Sequence, residues 1–190
     1  MNKLDAPDLD RWRAGELPDE EMFNALQDAL DFLLDPPTVK LRQTSNQSIP
    51  YNADTRIQWH EAIEDNCKPF GVGYTTAMWD PADPNKIICR VGGWYDITIT
   101  TSWENLADDG SRRITETRLN GVTNPEHGRR DMWHTGNGTV TNMTWPVFFN
   151  VGDYCEAWVY HDHTGGIARS LVVGTEPGRR SQFKMKWVSL

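Results

Sequence analysis

Two histidines one residue apart, His161 and His163 in His161-Asp162-His163, make the most suggestive local cluster of metal-ligating types in the chain. On an extended strand both would share a face and could offer two imidazoles to a divalent cation. Two ligands leave a site incomplete, and this pair runs straight into Thr164-Gly165-Gly166, so a solvent-exposed strand end is the competing expectation. Calcium could be held by Asp80 with Asp83 or by Asp108-Asp109, although neither shows the regular series of oxygen ligands of a dedicated calcium loop. Paired carboxylates for glycoside hydrolysis could be drawn from Glu104, Asp108, Asp109, Glu116, Asp131, Asp153, Glu156 and Asp162. Spacing pairs no two of them at the separation that chemistry requires. There is no G-x-S-x-G elbow and no glycine-rich loop ending in Lys-Ser/Thr, so nucleophilic and nucleotide chemistry have no carrier. The expectation is a protein that is not an enzyme, with no cofactor and no metal.

A binding surface is easier to place. The polar, turn-rich segment from Gly121 to Gly138 contains His127, Arg129, Arg130, Trp133 and His134. Exposed tryptophan beside arginine and histidine can stack on sugars or hold an acidic partner; an ordinary long loop over the end of the domain is the alternative.

The elements that must position such residues are strands. In Ile87-Ile88-Cys89-Arg90-Val91-Gly92-Gly93-Trp94-Tyr95-Asp96-Ile97-Thr98-Ile99-Thr100 two glycines divide two strand-like halves. After Gly93, Tyr95, Ile97 and Ile99 alternate with Trp94, Asp96 and Thr98, the period of a strand buried on one side. Further strands are expected at Thr38–Thr44, Thr55–Trp59, Gly71–Thr76, Lys86–Arg90, Arg112–Asn120, Thr139–Trp145, Tyr154–His161, Ser170–Gly174 and Ser181–Ser189, separated by turn chemistry such as Asn120-Gly121 and Gly152-Asp153. About ten short strands with no helix between them predict an all-β sandwich or barrel.

Ahead of them, residues 1–17 are polar and without period, an arm. Residues 18–37 predict an amphipathic helix with Phe23, Leu26, Leu30 and Leu33 spaced 3, 4 and 3 apart. Pro18 suits its first turn and Asp35-Pro36-Pro37 stops it. About four turns are marginal alone, so the stripe must pack on its own domain, on copies of itself or on a larger assembly. Residues 38–190 form the head.

The leader, residues 1–37, holds ten acids against three bases, and so carries nearly all of the net charge of −8. Without a basic excess, nucleic acid is not an expected partner. No apolar run approaches the ~20 residues that span a bilayer, and the N-terminus lacks an apolar secretory core, so no membrane insertion is expected. Cys67, Cys89 and Cys155 are either buried thiols or include a Cys89–Cys155 bridge.

The order of these motifs resembles the jelly-roll family of tumour necrosis factor and the complement globular heads. An acidic, proline-containing loop leads into IICRVGGWYDITIT; Phe149-Asn150-Val151-Gly152-Asp153-Tyr154 opens a late aromatic strand; RRITETRLNGV ends on Asn-Gly; and FKMKWVSL closes the chain on a strand. The expected proline before the first glycine is replaced by Val91-Gly92. The resemblance implies a jelly-roll β-sandwich preceded by one short helix, and a homotrimer in which aromatic residues of the inner sheets meet on a three-fold axis. Tyr95, Ile97, Tyr154, Trp158 and Trp187 are the residues it nominates for that interface. A second, narrower resemblance lies in the leader: Arg13-Ala14-Gly15-Glu16, Phe23 to Leu33 and Pro36-Pro37-Thr38-Val39 look like the start of virion proteins of actinobacterial tailed phages. It implies a minor tail or fibre protein on the phage particle, fixed to other virion proteins through residues 1–37 and free to meet a host-surface glycan. A capsid decoration trimer has the same architecture, and a lectin or glycoside-active enzyme is the reading from another class.

Overall fold

The computed structural model describes residues 20–67, 77–104, 112–123, 128–133, 140–162, 165–173 and 180–189. One helix, α1 (Glu20–Leu34), precedes thirteen strands: β1 (Thr38–Arg42), β2 (Gln47–Ile49), β3 (Thr55–Arg56), β4 (Glu61–Asp65), β5 (Lys86–Ile88), β6 (Gly93–Ser102), β7 (Arg112–Leu119), β8 (Val122–Thr123), β9 (Arg129–Trp133), β10 (Val140–Phe149), β11 (Tyr154–His161), β12 (Arg169–Leu171) and β13 (Gln182–Ser189). The strand expected at Gly71–Thr76 lies outside the described residues.

Two antiparallel layers enclose the core. One sheet runs β10-β6-β13-β1-β4; the other runs β3-β11-β7-β8, with β5 on β11 and β9 on β7. A small third sheet pairs β12 with β2. The last strand sits in the middle of the first sheet, with Phe183 opposite Ile99, Met185 opposite Ile97 and Trp187 opposite Tyr95. All six of these side chains point into the core, because strand residues two apart share a face. Trp59 and Phe183 pack with ring centroids 5.6 Å apart and Tyr95 meets Phe149 edge-on at 5.7 Å.

The two glycines make the corner between layers. β5 belongs to the second sheet and β6 to the first, so the chain crosses the sandwich at Val91-Gly92-Gly93. Gly93 has φ +142°, and a Cβ there would lie 2.4 Å from the Ser189 carbonyl oxygen and 2.5 Å from Trp187 Nε1. Gly93→Ala should therefore cost about 2–3 kcal/mol, read as a shift of the urea midpoint. Gly92→Ala should stay within about 1 kcal/mol, because a Cβ there meets only ordinary contacts, the nearest at 3.6 Å. Equal losses at both positions would refute this account of the corner.

The helix is tied to the same end of the first sheet. Phe32 is buried edge-on against Trp187 at 4.8 Å, and the Trp187 backbone N–H donates to the Pro37 carbonyl at 2.9 Å. Asn66 joins the exit by donating to Asp35 and accepting from the Thr38 N–H. The face turned inward is the row Met22, Ala25, Ala29 and Phe32, half-buried or buried. The predicted stripe is left outside: Phe23, Leu26, Leu30 and Leu33 are 58%, 42%, 50% and 63% exposed. Among the described residues the stripe takes no part in the core of its own domain.

Several expectations are corrected. The Gly121–Gly138 segment is not one long loop, since β8 and β9 lie within it and pair with β7. Strand β3 ends at Arg56, short of the expected Trp59, and β10 continues through Phe149. Of the two alternatives for the cysteines, the buried thiols hold: no Cys89–Cys155 bridge exists, and all three are buried and free.

Candidate functional site

The five residues nominated for a trimer interface do not form one surface. Tyr95 and Ile97 have no exposed area and Trp187 is 7% exposed; these three fill the interior of a single chain. Neither Tyr95 nor Ile97 has side-chain surface left to offer a second copy. The Tyr95 hydroxyl donates to the Val91 carbonyl at 2.6 Å. Burial, the largest influence, pushes its phenol well above the usual range, and the adjacent Cys89 adds to the shift. Tyr154 and Trp158 are half-buried on the outward face of the other sheet. The alternation of β6 was legible, but which of its faces looks outward depends on the partner strands.

What the first sheet does present outward is apolar at one end. Trp94 on β6 and Phe148 on β10 are register partners, 42% and 38% exposed, with their rings edge-on at 5.7 Å. Val188 on β13, also exposed, belongs to the same end of the sheet, where Ser189 pairs with Trp94. This is the end at which α1 is tied through Trp187. The Leu-rich stripe and the Trp94-Phe148-Val188 patch thus project from one region of the head.

The outward face of the second sheet is polar and highly ordered. Cross-strand register sets Trp158 opposite Glu116 and Glu156 opposite Arg118. Arg118 Nε donates to Glu116 Oε1 at 2.7 Å, its Nη2 reaches Asp54 at 2.6 Å, and its guanidinium carbon lies 3.8 Å from the Trp158 ring centroid. Burial pulls the Arg118 pKa down, but hydrogen bonds to Asp54 and Glu116 outweigh it and the net shift is upward. The Trp158 indole N–H donates to Glu156 Oε2 at 3.1 Å, and Arg56 bridges to Glu156 Oε1 at 3.1 Å. Arg129 Nη1 lies 3.3 Å from Glu116 Oε2, and Arg112 pairs with Asp131 at 2.6 Å.

Of the predicted binding loop, Arg129, Arg130 and Trp133 are therefore strand residues of β9, with Trp133 68% exposed; His127 and His134 lie outside the described residues. The structure joins Arg129 to Glu116 and Trp158 around one cleft. Sequence reasoning had placed Trp158 on a trimer axis and passed over Arg56, Asp54 and Arg118. The signal was present in the same-face pairs Glu116/Arg118 and Glu156/Trp158, two apart on their strands; the register that joins them was not.

The remaining chemical candidates disperse. His161 is fully buried, not at an exposed strand end: its Nε2 is 3.0 Å from the Ile49 carbonyl and its ring lies edge-on to Trp103. His163, Asp108 and Asp109 lie outside the described residues. Asp80 accepts from the Ala82 N–H within its turn, and Asp83 pairs with Lys86. Asp153 caps the Gly152 turn by accepting from the Asn150 N–H and from Asn120 Nδ2. Among the described residues no three His, Cys, Asp or Glu side chains gather as a metal site. The cysteines are apolar core; burial pushes the Cys67 thiol up to about 12 and the Cys89 thiol up to about 11. No described helix is long and apolar enough to cross a membrane.

No family model and no curated protein matches the chain. Solved structures do. The globular domain of zebrafish complement 1qA protein superposes with a TM-score of 0.50 at 12% identity, over 80% of this chain and 97% of that one. The fold is a jelly roll of the complement and tumour-necrosis-factor type. Eiger TNF from S. frugiperda gives the same TM-score of 0.50 at 12% identity, over 81% of this chain and 94% of its own. At this identity the likeness concerns the jelly roll alone, and the helix stripe, the aromatic patch and the charged sheet face must be interpreted from this chain's own residues.

Proposed function

We propose that this chain is a non-enzymatic structural and adhesion protein of a phage particle: a homotrimer of jelly-roll heads, attached to other virion proteins by its N-terminal helix. The observation that carries this reading is a short helix held to its own head mainly through Phe32 while Phe23, Leu26, Leu30 and Leu33 face outward. An apolar row of this size on a helix of marginal length calls for a further partner. The trimer is supported by the resemblance to a family that assembles on a three-fold axis, and by an outward aromatic patch at the helix-bearing end of the sheet. Trp94, Phe148 and Val188 take the place of Tyr95, Ile97 and Trp187 as its contact residues. Three heads joined there present three helices together, and three weak contacts raise the effective concentration of each attachment. The helix holds Glu20, Glu21, Asp28 and Asp31 and no base, which favours docking on an apolar groove with a basic rim over a stalk of three like-charged helices. The phage assignment rests on the leader's resemblance to virion proteins.

Leu26→Asp with Leu30→Asp tests the anchor. The full chain should keep its melting temperature and its trimer mass by light scattering, because the stripe touches no core, while incorporation into particles should fall at least tenfold. Deleting residues 1–37 should abolish incorporation. Undiminished incorporation of the double variant would refute the anchor, and its copy number per particle would separate a tail position from a capsid one.

A further inference from the structure

The polar face of the second sheet is used by neither the anchor nor the aromatic patch, and it is a built site. A cleft of about 150 Å³ opens there, lined by Asp54, Ile114, Glu116, Arg129, Trp158 and Tyr160 among others. Its floor is immobilised: Glu116 is 6% exposed and held by Arg118 and Arg129, and beside the cleft Glu156, 3% exposed, is held by Arg56. Side chains already fixed in place have little rotamer freedom left to lose when a ligand binds.

The charges around it decide the class of ligand. Arg56, Arg112, Arg118 and Arg129 are each ion-paired, to Glu156, Asp131, Asp54 with Glu116, and Glu116 respectively. Among the described residues, four arginines in and beside the cleft are thus already engaged by four carboxylates. An anion or a cation entering this field meets side chains that are already ion-paired and must break an existing pair to gain one. A neutral polyhydroxyl ligand need not. Its hydroxyls can accept from guanidinium N–H groups and donate to carboxylate lone pairs, while its C–H face lies on Ile114, the Tyr160 ring and the part of Trp158 that the Arg118 guanidinium leaves uncovered.

We infer that this cleft binds a neutral pyranose unit of a surface polysaccharide, one per head. The inference deepens the adhesive part of the function proposed above and rests on it. The trimer and the anchor stand or fall separately, since light scattering on the same samples reports assembly whether or not sugar binds.

The full chain is titrated by calorimetry and tryptophan fluorescence with neutral trisaccharides of glucose, mannose, galactose and N-acetylglucosamine, and with heparin fragments and inorganic phosphate as anionic probes. At least one neutral trisaccharide should saturate, with affinity changing less than about twofold when salt is raised tenfold, because no net charge is exchanged. Trp158→Ala should weaken it about tenfold or more. Arg129→Ala removes a half-exposed side chain at the edge and so leaves the fold intact; it should weaken binding about fivefold through lost hydrogen bonds. Absence of saturation by every neutral probe overturns the inference. So does binding confined to the anionic probes with affinity falling in salt, and so does unchanged affinity in Arg129→Ala.

Discussion

Tyr95→Ala should lower the stability of the head by about 3–5 kcal/mol, seen as a fall in melting temperature that does not depend on protein concentration. The ring is fully buried, stands edge-on to Phe149, and occupies the register between Val147 on β10 and Trp187 on β13. Removing it leaves a cavity between the two layers that close packing on every side prevents from collapsing. The hydroxyl is a smaller part of the loss. The Val91 carbonyl accepts from Tyr95 and also from the Cys89 thiol at 3.0 Å, so Tyr95→Phe leaves that oxygen one partner and should cost about 1 kcal/mol. Since burial raises the Tyr95 pKa in the folded chain, its contribution is complete below the unfolded phenol value of about 10. It is lost as pH rises beyond that, so wild type should lose stability in alkali more steeply than Tyr95→Phe. A Tyr95→Ala chain that dissociated without melting earlier would restore Tyr95 to an interface and overturn its place in the core.

That distinction marks how far the sequence could be read. The alternation of β6 and the terminal strand β13 was legible because their core sides are long apolar rows. Asn120-Gly121 was legible because both residues take positive φ, 53° and 74°, in a two-residue hairpin turn. Strands β4 and β9 were not: Glu61–Asp65 and Arg129–Trp133 have no buried row, and only backbone pairing to β1 and β7 makes them strands. On the helix the leucines marked a stripe, yet the face turned to the head is Met22, Ala25, Ala29 and Phe32. Alanines carry little hydrophobic signal while allowing the close approach that seats Phe32 on Trp187. The charged cleft needed register as well as pattern, because Glu116 meets Trp158, and Arg118 meets Glu156, only across two strands separated by the whole of β8 to β10.

The complementary experiment concerns the outward side of the same strand. Trp94→Ser with Phe148→Ser should convert the proposed trimer to monomer by light scattering, at concentrations where wild type is fully assembled, without lowering the melting temperature of the monomeric head. Both rings are register partners, packed on one another, and contribute no side chain to the core cluster, so the fold has little to lose. An interface has much to lose. Aromatic residues at the centre of a contact contribute about 2–4 kcal/mol each. Two such losses, repeated around a three-fold axis, weaken assembly by about a thousandfold or more. Intrinsic fluorescence should move to the red on dissociation of wild type by dilution, as Trp94 becomes wet, and the double variant should show no such shift. Trp133→Ser, on an exposed edge strand of the other sheet, serves as the control and should leave the trimer mass unchanged. If the double variant stayed trimeric, the aromatic patch would be excluded as the contact. If Trp133→Ser dissociated instead, the three-fold axis would lie beside the charged sheet, and the saccharide cleft and the subunit contact would then compete for the same face.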